Sequence, residues 1–549
     1  MSLTSSSVVL DHLSFSWPDG SIALDAVSGA FGHGRTGLVG RNGAGKTTLL
    51  RLIAGDLDPT SGHVTTSGDV AYLPQRLTLE VQERIASLLG VAGALDAVRA
   101  ITSGDADPRH FEAVGDDWDI EARAEVALAE AGLDPSFLDR TVGELSGGEA
   151  VLAAIAGIRL RRAPITLLDE PTNNLDRDAR ARLAEMVRAW KGTLIVVSHD
   201  VALLELMDDT AELYGSELSV FGGPYSEWRA WLDAEQAAAQ QAERDAAQAY
   251  KKEKRQRIEA EAKLAQRART AKKAEVEKRV PKMVAHGRRM AAQVSAGKLR
   301  GDMQADEYEA RQALDDAGRR VRNDSSMAID LPDPELSRSR RIATLGDDER
   351  SWVIQGPERV ALIGRNGAGK TTLLRRLLGE TPVAVAPLDT GGPAELSEDD
   401  PVLRDSARAE AHTDRIGYLS QRIDGLDEGA SVVANVAAAA PQVPDKELRN
   451  RLARFLIRGA TMDRPVSALS GGERFRVALA AMLLADPPPH LVILDEPTNN
   501  LDLDTVDHLV DALRAYRGAV LVVSHDDAFL DRLGLDLTLE LEKGRLSER

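Results

Sequence analysis

The chain has 549 residues, 43% of them hydrophobic and 28% charged, with a formal net charge of −19 and no cysteine. At about 150 residues per domain, that length predicts three or four units of a globular protein rather than one core. The missing thiols exclude disulfides, cysteine-bound zinc and cysteine-ligated iron–sulfur clusters, and they suit a reducing cytoplasm, which is the expected location.

The first stretch, "MSLTSSSVVLDHLSFSW" (1–17), has no basic start and no long apolar run, so no secretory signal is expected. No window elsewhere approaches the roughly 18 apolar residues of a membrane span. An apolar strand, "TGLV", then runs into "GRNGAGKTTLLR" (40–51), and the same dodecamer returns after "RVALI" at 364–375. The pattern G-x-x-x-x-G-K-[ST] is a phosphate loop. Its glycines turn backbone N–H groups inward, its lysine reaches the β- and γ-phosphates, and its threonine hydroxyl binds Mg2+. The helix that follows adds a positive N-terminal dipole. The expected ATP-binding residues are Gly40, Asn42, Gly43, Gly45, Lys46, Thr47 and Thr48, and in the repeat Gly364, Asn366, Gly367, Gly369, Lys370, Thr371 and Thr372.

Four further pairs follow in the same order. "AYLPQ" (71–75) matches "GYLSQ" (417–421), "ELSGGE" (144–149) matches "ALSGGE" (468–473), "LLDEPTNNLD" (167–176) matches "ILDEPTNNLD" (493–502), and "VVSHD" occurs at 196–200 and 522–526. Glu170 to His199 and Glu496 to His525 each span 29 residues. Lys46 to Gln75 is 29 but Lys370 to Gln421 is 51, while the next interval, to Ser146 or Ser470, is 71 against 49. Each copy therefore carries an insertion of 22 residues that the other lacks. "ITLLDE" and "LVILDE" read as buried strands ending in two carboxylates. Asp169 and Asp495 are expected to hold Mg2+ through its coordinated water. Glu170 and Glu496 are expected to act as general bases on the attacking water. His199 and His525, each after an apolar run, are expected to contact the γ-phosphate.

Between the copies, Ser226–Arg279 contains no Gly or Pro and is rich in Ala, Glu, Lys, Arg and Gln, so it predicts a long solvated helix of roughly 80 Å. Pro281 is expected to end or kink it. A less regular tip with Gly287, Gly297 and Gly301 should follow, and a second helix over 302–322 should run back. Residues 251–300 hold 17 Lys or Arg against 5 Asp or Glu, a net of +12, which leaves −31 on the rest of the chain. Two readings of this segment stand: a charged coil kept soluble by its own side chains, or an electrostatic footprint for nucleic acid.

In these motifs, taken in this order and twice over, the chain resembles the ATP-binding cassette superfamily. The resemblance implies an α/β fold with two P-loop nucleotide-binding domains paired head to tail within one monomer, each ATP lying between one phosphate loop and the other copy's signature. One site would then join Lys46, Thr47, Gln75, Asp169, Glu170 and His199 to Ser470, Gly471 and Gly472. The other would join Lys370, Thr371, Gln421, Asp495, Glu496 and His525 to Ser146, Gly147 and Gly148. Gln75 and Gln421 would sit beside Mg2+ with Thr47, Asp169, Thr371 and Asp495. Members usually stack an aromatic on adenine. Trp17 fits that role or that of a strand-end core residue, and no aromatic between Ser326 and Ser351 offers a counterpart. An arginine usually follows the signature; Arg476 occupies that place in the second copy and Leu152 in the first. Unequal hydrolysis at the two sites is the expectation.

Tandem cassettes joined by a long helical linker are similar to the ABC-F family, over almost the whole chain. That likeness implies an ATPase working with Mg2+, and a ribosome-binding protein whose linker approaches tRNA and the peptidyl-transferase region, tuning translation or dislodging antibiotics. The implied domains are 1–222, the basic hairpin 223–325, and 326–549. Lys282, Arg288, Arg289, Lys298 and Arg300 would contact RNA by shape and phosphate charge, with no DNA expected. Residues 76–141 read as a short arm or as an ordinary helical subdomain. The competing class is a transporter ATPase docked on separate membrane chains, which would need no basic protrusion. Cysteine-rich repair ATPases and the iron–sulfur recycling type are excluded by composition.

Overall fold

A computed structural model describes residues 7–75, 77, 82–173, 175–276, 282–322, 331–379, 383–384, 394–395, 407–421, 423, 425–499 and 501–549. Over 271–272, 274–276, 282–289, 291–293, 383–384 and 394–395 it describes the backbone alone. Pro281, most of the acidic insertion 380–411, and the side chains of Lys282, Arg288 and Arg289 lie outside the described residues. The chain divides into two units: residues 1–225 with 326–549, and residues 226–325.

The larger unit contains two six-stranded sheets of the same topology. In the first, the order is Val70–Leu73, Ile165–Asp169, Thr193–Val197, Gly34–Val39, Asp209–Tyr214 and Glu217–Gly222. All neighbours are parallel except the last pair. In the second, the order is Ile416–Leu419, Leu491–Asp495, Ala519–Val523, Arg359–Ile363, Leu537–Glu542 and Arg545–Glu548, again antiparallel only at the end. "ITLLD", "TLIVV", "LVILD" and "AVLVV" are buried at every position. Uninterrupted apolar runs are what parallel strands need when both faces are covered. The two faces of the first sheet accordingly contribute to separate cores, one holding Leu167, Ile195 and Leu38, the other Leu168, Leu194 and Val196.

A three-stranded antiparallel sheet accompanies each: Val8–Ser16 with Ile22–Phe31 and Ser61–Thr66, and Arg341–Gly346 with Ser351–Gln355 and Arg408–Ala411. Residues 85–130 form four helices, and Leu95, Ala124 and Leu128 pack into the same cluster as Leu152 and Ile155 of the helix Gly147–Arg161.

The smaller unit is a pair of helices, Tyr225–Val276 and Lys282–Arg320. They run antiparallel: Arg257 pairs with Glu307, and Gln236 both accepts from the Arg322 N–H (2.8 Å) and donates to the Arg320 carbonyl. Here the structure corrects the expected irregular tip. One helix runs from Lys282 through Gly287, Gly297 and Gly301. A glycine in a helix costs only about 1 kcal/mol relative to alanine, and the Ala, Met, Gln and Leu residues around these three are strong helix formers.

Candidate functional site

Both phosphate loops leave the carboxyl end of a central strand, the usual location of ligands in an open parallel sheet. Gly40 (φ 148°) and Gly364 (φ 147°) make the first turn. A Cβ there would lie 2.5 Å from the Leu213 carbonyl oxygen and 2.4 Å from that of Leu541. Only glycine fits so close to backbone. The loop then delivers Lys46 and Lys370 to the first residue of the helices Lys46–Ala54 and Lys370–Leu377. Lys46 Nζ donates to the carbonyls of Gly40 (2.6 Å) and Arg41 (3.1 Å), and Lys370 Nζ to those of Gly364 (2.6 Å) and Arg365 (3.0 Å). Burial lowers the pKa of both amines, opposed by the neighbouring carboxylates.

The strands Ile165–Asp169 and Leu491–Asp495 end beside those lysines. Tyr72 Oη donates to Asp169 Oδ2 (3.4 Å), and Thr371 Oγ1 to Asp495 Oδ2 (3.2 Å). Asp169 Oδ1 is buried with no hydrogen-bond partner. A threonine hydroxyl, an aspartate and the glutamine amide oxygen form an all-oxygen donor set suited to Mg2+. Among the described residues there is no group of three or more His, Asp or Glu for a metal, so these residues would share the ion with phosphate oxygens. Glu170 and Glu496 follow in the left-handed region, at φ 50° and 49°. That conformation is strained for a non-glycine residue and is typical of functional positions. Burial pushes Glu170 up to about 8 and Glu496 to about 7, into the range of a general base.

The switch histidines complete each pocket. His199 Nε2 lies 3.1 Å from Glu170 Oε1. His525 Nε2 lies 3.4 Å from Glu496 Oε1, 3.0 Å from Lys370 Nζ and 3.1 Å from Asn366 Oδ1. Burial drops both imidazoles to about 3, so both are neutral at physiological pH.

The cassettes meet across these pockets. A cavity of about 490 Å3 is bordered by Trp17, Asn42, Gly43, Gly45, Lys46, Thr47, Thr48, Gln75, Asp169, Glu170 and His199 of the first cassette, and by Ser470 and Gly471 of the second. Gly472 lies one residue into the same capped helix: Ser470 accepts from the Glu473 N–H, and Glu473 Oε2 accepts from the Ser470 N–H (2.9 Å). Trp17 is 37% exposed and meets Phe15 edge-on, with ring centroids 5.0 Å apart. A second cavity of about 400 Å3 is bordered by Asn366, Gly367, Gly369, Lys370, Thr371, Thr372, Gln421, Asp495, Glu496 and His525, with Leu175 from the first cassette. No aromatic stands among its described lining, and Ser146, Gly147 and Gly148 do not border it. Those three instead form the cap and first turn of Gly147–Arg161, in the same reciprocal capping arrangement.

Two aspartates that the sequence reading did not single out join the halves. Asp502 Oδ2 accepts from the Asn42 N–H at 2.9 Å, and Asp176 Oδ2 from the Asn366 N–H at 3.3 Å. Each also caps its own helix, accepting from Thr505 N–H and Ala179 N–H respectively. The signal available was the shared "NNLD" after each carboxylate strand. Of the RNA-binding candidates with described side chains, Lys298 and Arg300 are exposed on the second hairpin helix.

Two phosphate-loop sites, each with its own carboxylates and switch histidine, facing one another in one chain, define a tandem ATP-binding cassette protein. The family described as ABC transporter matches residues 24–173 and 348–499. The tylosin resistance ATP-binding protein TlrC of Streptomyces fradiae is 31% identical, over 96% of this chain and 96% of its own. ATP-binding cassette sub-family F member 3 of Mus musculus is 31% identical over 90% of this chain and 66% of its own length. The ATP-binding protein Uup of Caulobacter vibrioides is 33% identical over 91% and 71%. A solved complex of archaeal ribosomal stalk protein aP1 with archaeal ribosome recycling factor aABCE1 shares the fold, with TM-score 0.54 and 20% identity over 97% of this chain and 89% of that one. The chain belongs to the ABC-F family. Among its described residues no helix is long and apolar enough to cross a membrane.

Proposed function

We propose that this protein is a ribosome-binding ATPase whose cassettes close on two ATP molecules with Mg2+ and place the basic hairpin near tRNA and the peptidyl-transferase region, modulating translation or protecting the ribosome from antibiotics. The observation that carries the proposal is the cavity bordered by Lys46 and Glu170 on one side and Ser470 and Gly471 on the other. A nucleotide held by both halves favours their closure, and loss of its γ-phosphate releases them. Glu170 and Glu496 take the proton of the attacking water, and His199 and His525 hold the γ-phosphate end of the nucleotide. The net charge of +12 over 251–300 supports a polyanionic partner, and the near full-length likeness to a tylosin resistance protein supports a role in protection from antibiotics.

The test is sedimentation of the Glu170→Gln, Glu496→Gln form, saturated with ATP and Mg2+, through sucrose with 70S ribosomes. Co-sedimentation is expected. Charge reversal at Lys282, Arg288, Arg289, Lys298 and Arg300 should abolish the effect on translation and spare intrinsic ATP turnover. A protein that stays at the top of the gradient, or that fractionates with membranes, overturns the proposal.

A further inference from the structure

The cassettes mate twice, once beside each ATP site, and the two seams differ at one pair of positions. "NNLD" is followed by Arg177 in the first copy and by Leu503 in the second, whereas "VVSHD" is followed by Val201 and by Asp527. Beside the second site Arg177 pairs with Asp527 across the interface. The same positions beside the first site hold Leu503 and Val201, both half-buried. Each pair is matched in kind, a cation with an anion and one aliphatic side chain with another. Exchanging a single member would strand a charge. The rest of the seam is alike on both sides: Asp176 accepts from the Asn366 N–H and Asp502 from the Asn42 N–H, while Asp178 pairs with Arg365 and Asp504 with Arg41, both at 3.3 Å.

Arg177 and the residue before it bracket the switch histidine of the other cassette. Asp176 caps the helix Arg177–Arg188 and holds the Asn366 N–H at 3.3 Å, and Asn366 Oδ1 lies 3.1 Å from His525 Nε2. On the other side, the Arg177 guanidinium donates through Nη2 to Asp527 Oδ1. Asp527 stands two residues beyond His525 and opens the helix Asp527–Leu533. The chain between them is tightly bonded. Asp526 donates its N–H to Ser524 Oγ (3.1 Å), and its carboxylate accepts from the Phe529 N–H (3.0 Å). A restraint on Asp527 therefore reaches His525 through one short, hydrogen-bonded turn. At the first site, leucine opposite valine supplies packing without a directed bond.

We propose that Arg177 is a positioning residue of the second ATP site: its ion pair with Asp527 across the cassette seam fixes the segment that carries His525, a salt-sensitive fastening that the first site replaces with Leu503 and Val201. This rests on the ATPase reading above. With side chains 33% and 61% exposed the pair is screened by water and salt, so its loss should change turnover by about 2- to 5-fold.

The test measures ATP turnover in the full chain, one site at a time. Glu170→Gln leaves the second site to turn over, and Glu496→Gln the first. In the Glu170→Gln background, Arg177→Leu and Asp527→Val should each lower kcat about 2- to 5-fold, with KM changed less than about 2-fold. The two together should lose no more than either alone, because each removes the same contact. Arg177→Lys should keep most of the turnover. Raising ionic strength from about 0.1 M to about 0.5 M should slow the parent second site more than the Arg177→Leu form. In the Glu496→Gln background the same substitutions should cost less. Arg177→Gln replaces leucine if the melting temperature falls. Losses that multiply in the double variant, equal losses in both backgrounds, or no loss at all overturn the positioning role. A parent chain that releases no phosphate from ATP would instead overturn the ATPase reading itself.

Discussion

Asp208 shows how a single residue can tie sequence-distant strands. Its carboxylate accepts from the Arg35 N–H (2.9 Å), from Nε (3.0 Å) and from Nη2 (2.6 Å), 173 positions away. These bonds hold its pKa below the ordinary carboxylate value. The ionised form therefore stabilises the fold fully above about pH 3.9, and that contribution is lost as pH falls through the lower folded value. With the side chain 49% exposed, screening limits the effect to about 1 kcal/mol. Asp208→Asn should lower the melting temperature at pH 7 and narrow its gap from the parent protein by pH 3, as followed by circular dichroism. The motif residues were legible because chemistry fixes their spacing. Asp208 was not, because a partner on a neighbouring strand far away in sequence leaves no local pattern.

At the scale of elements, the signals were strongest where composition and period agreed. "ITLLDE" and "AVLVV" announced buried parallel strands, and the Ala-, Glu- and Lys-rich run after Ser226 announced the helix described over Tyr225–Val276. Glycine misled at the hairpin: Gly297 and Gly301 read as breaks, yet they sit within a helix. Neither has a positive φ, and a Cβ at either would meet nothing within 4 Å. Gly297→Ala and Gly301→Ala should therefore each stabilise the helix, by about 0.5–1 kcal/mol. Helix content near 222 nm and the thermal midpoint report this. A drop in either would mean that those glycines serve a conformation other than this helix.

Across the whole molecule, duplication was plain in the sequence but the inequality of the copies was only partly so. Trp17 borders one cavity and no described aromatic borders the other. Arg476 of the second signature helix is largely buried and feels the charges of Asp502 and Arg41, whereas Leu152 at the matching position is core. These differences predict that Glu170→Gln and Glu496→Gln reduce total ATP turnover by different factors, and steady-state phosphate release measures both. Identical losses would mean that the two pockets work at the same rate despite their linings.

The reciprocal contacts of Asp176 with Asn366 and of Asp502 with Asn42 have a kinetic corollary. Because both mating faces belong to one polypeptide, their encounter is first-order and governed by the tether's effective molarity. Dilution to scarce cellular amounts leaves it unchanged, whereas separately expressed halves would obey second-order recombination.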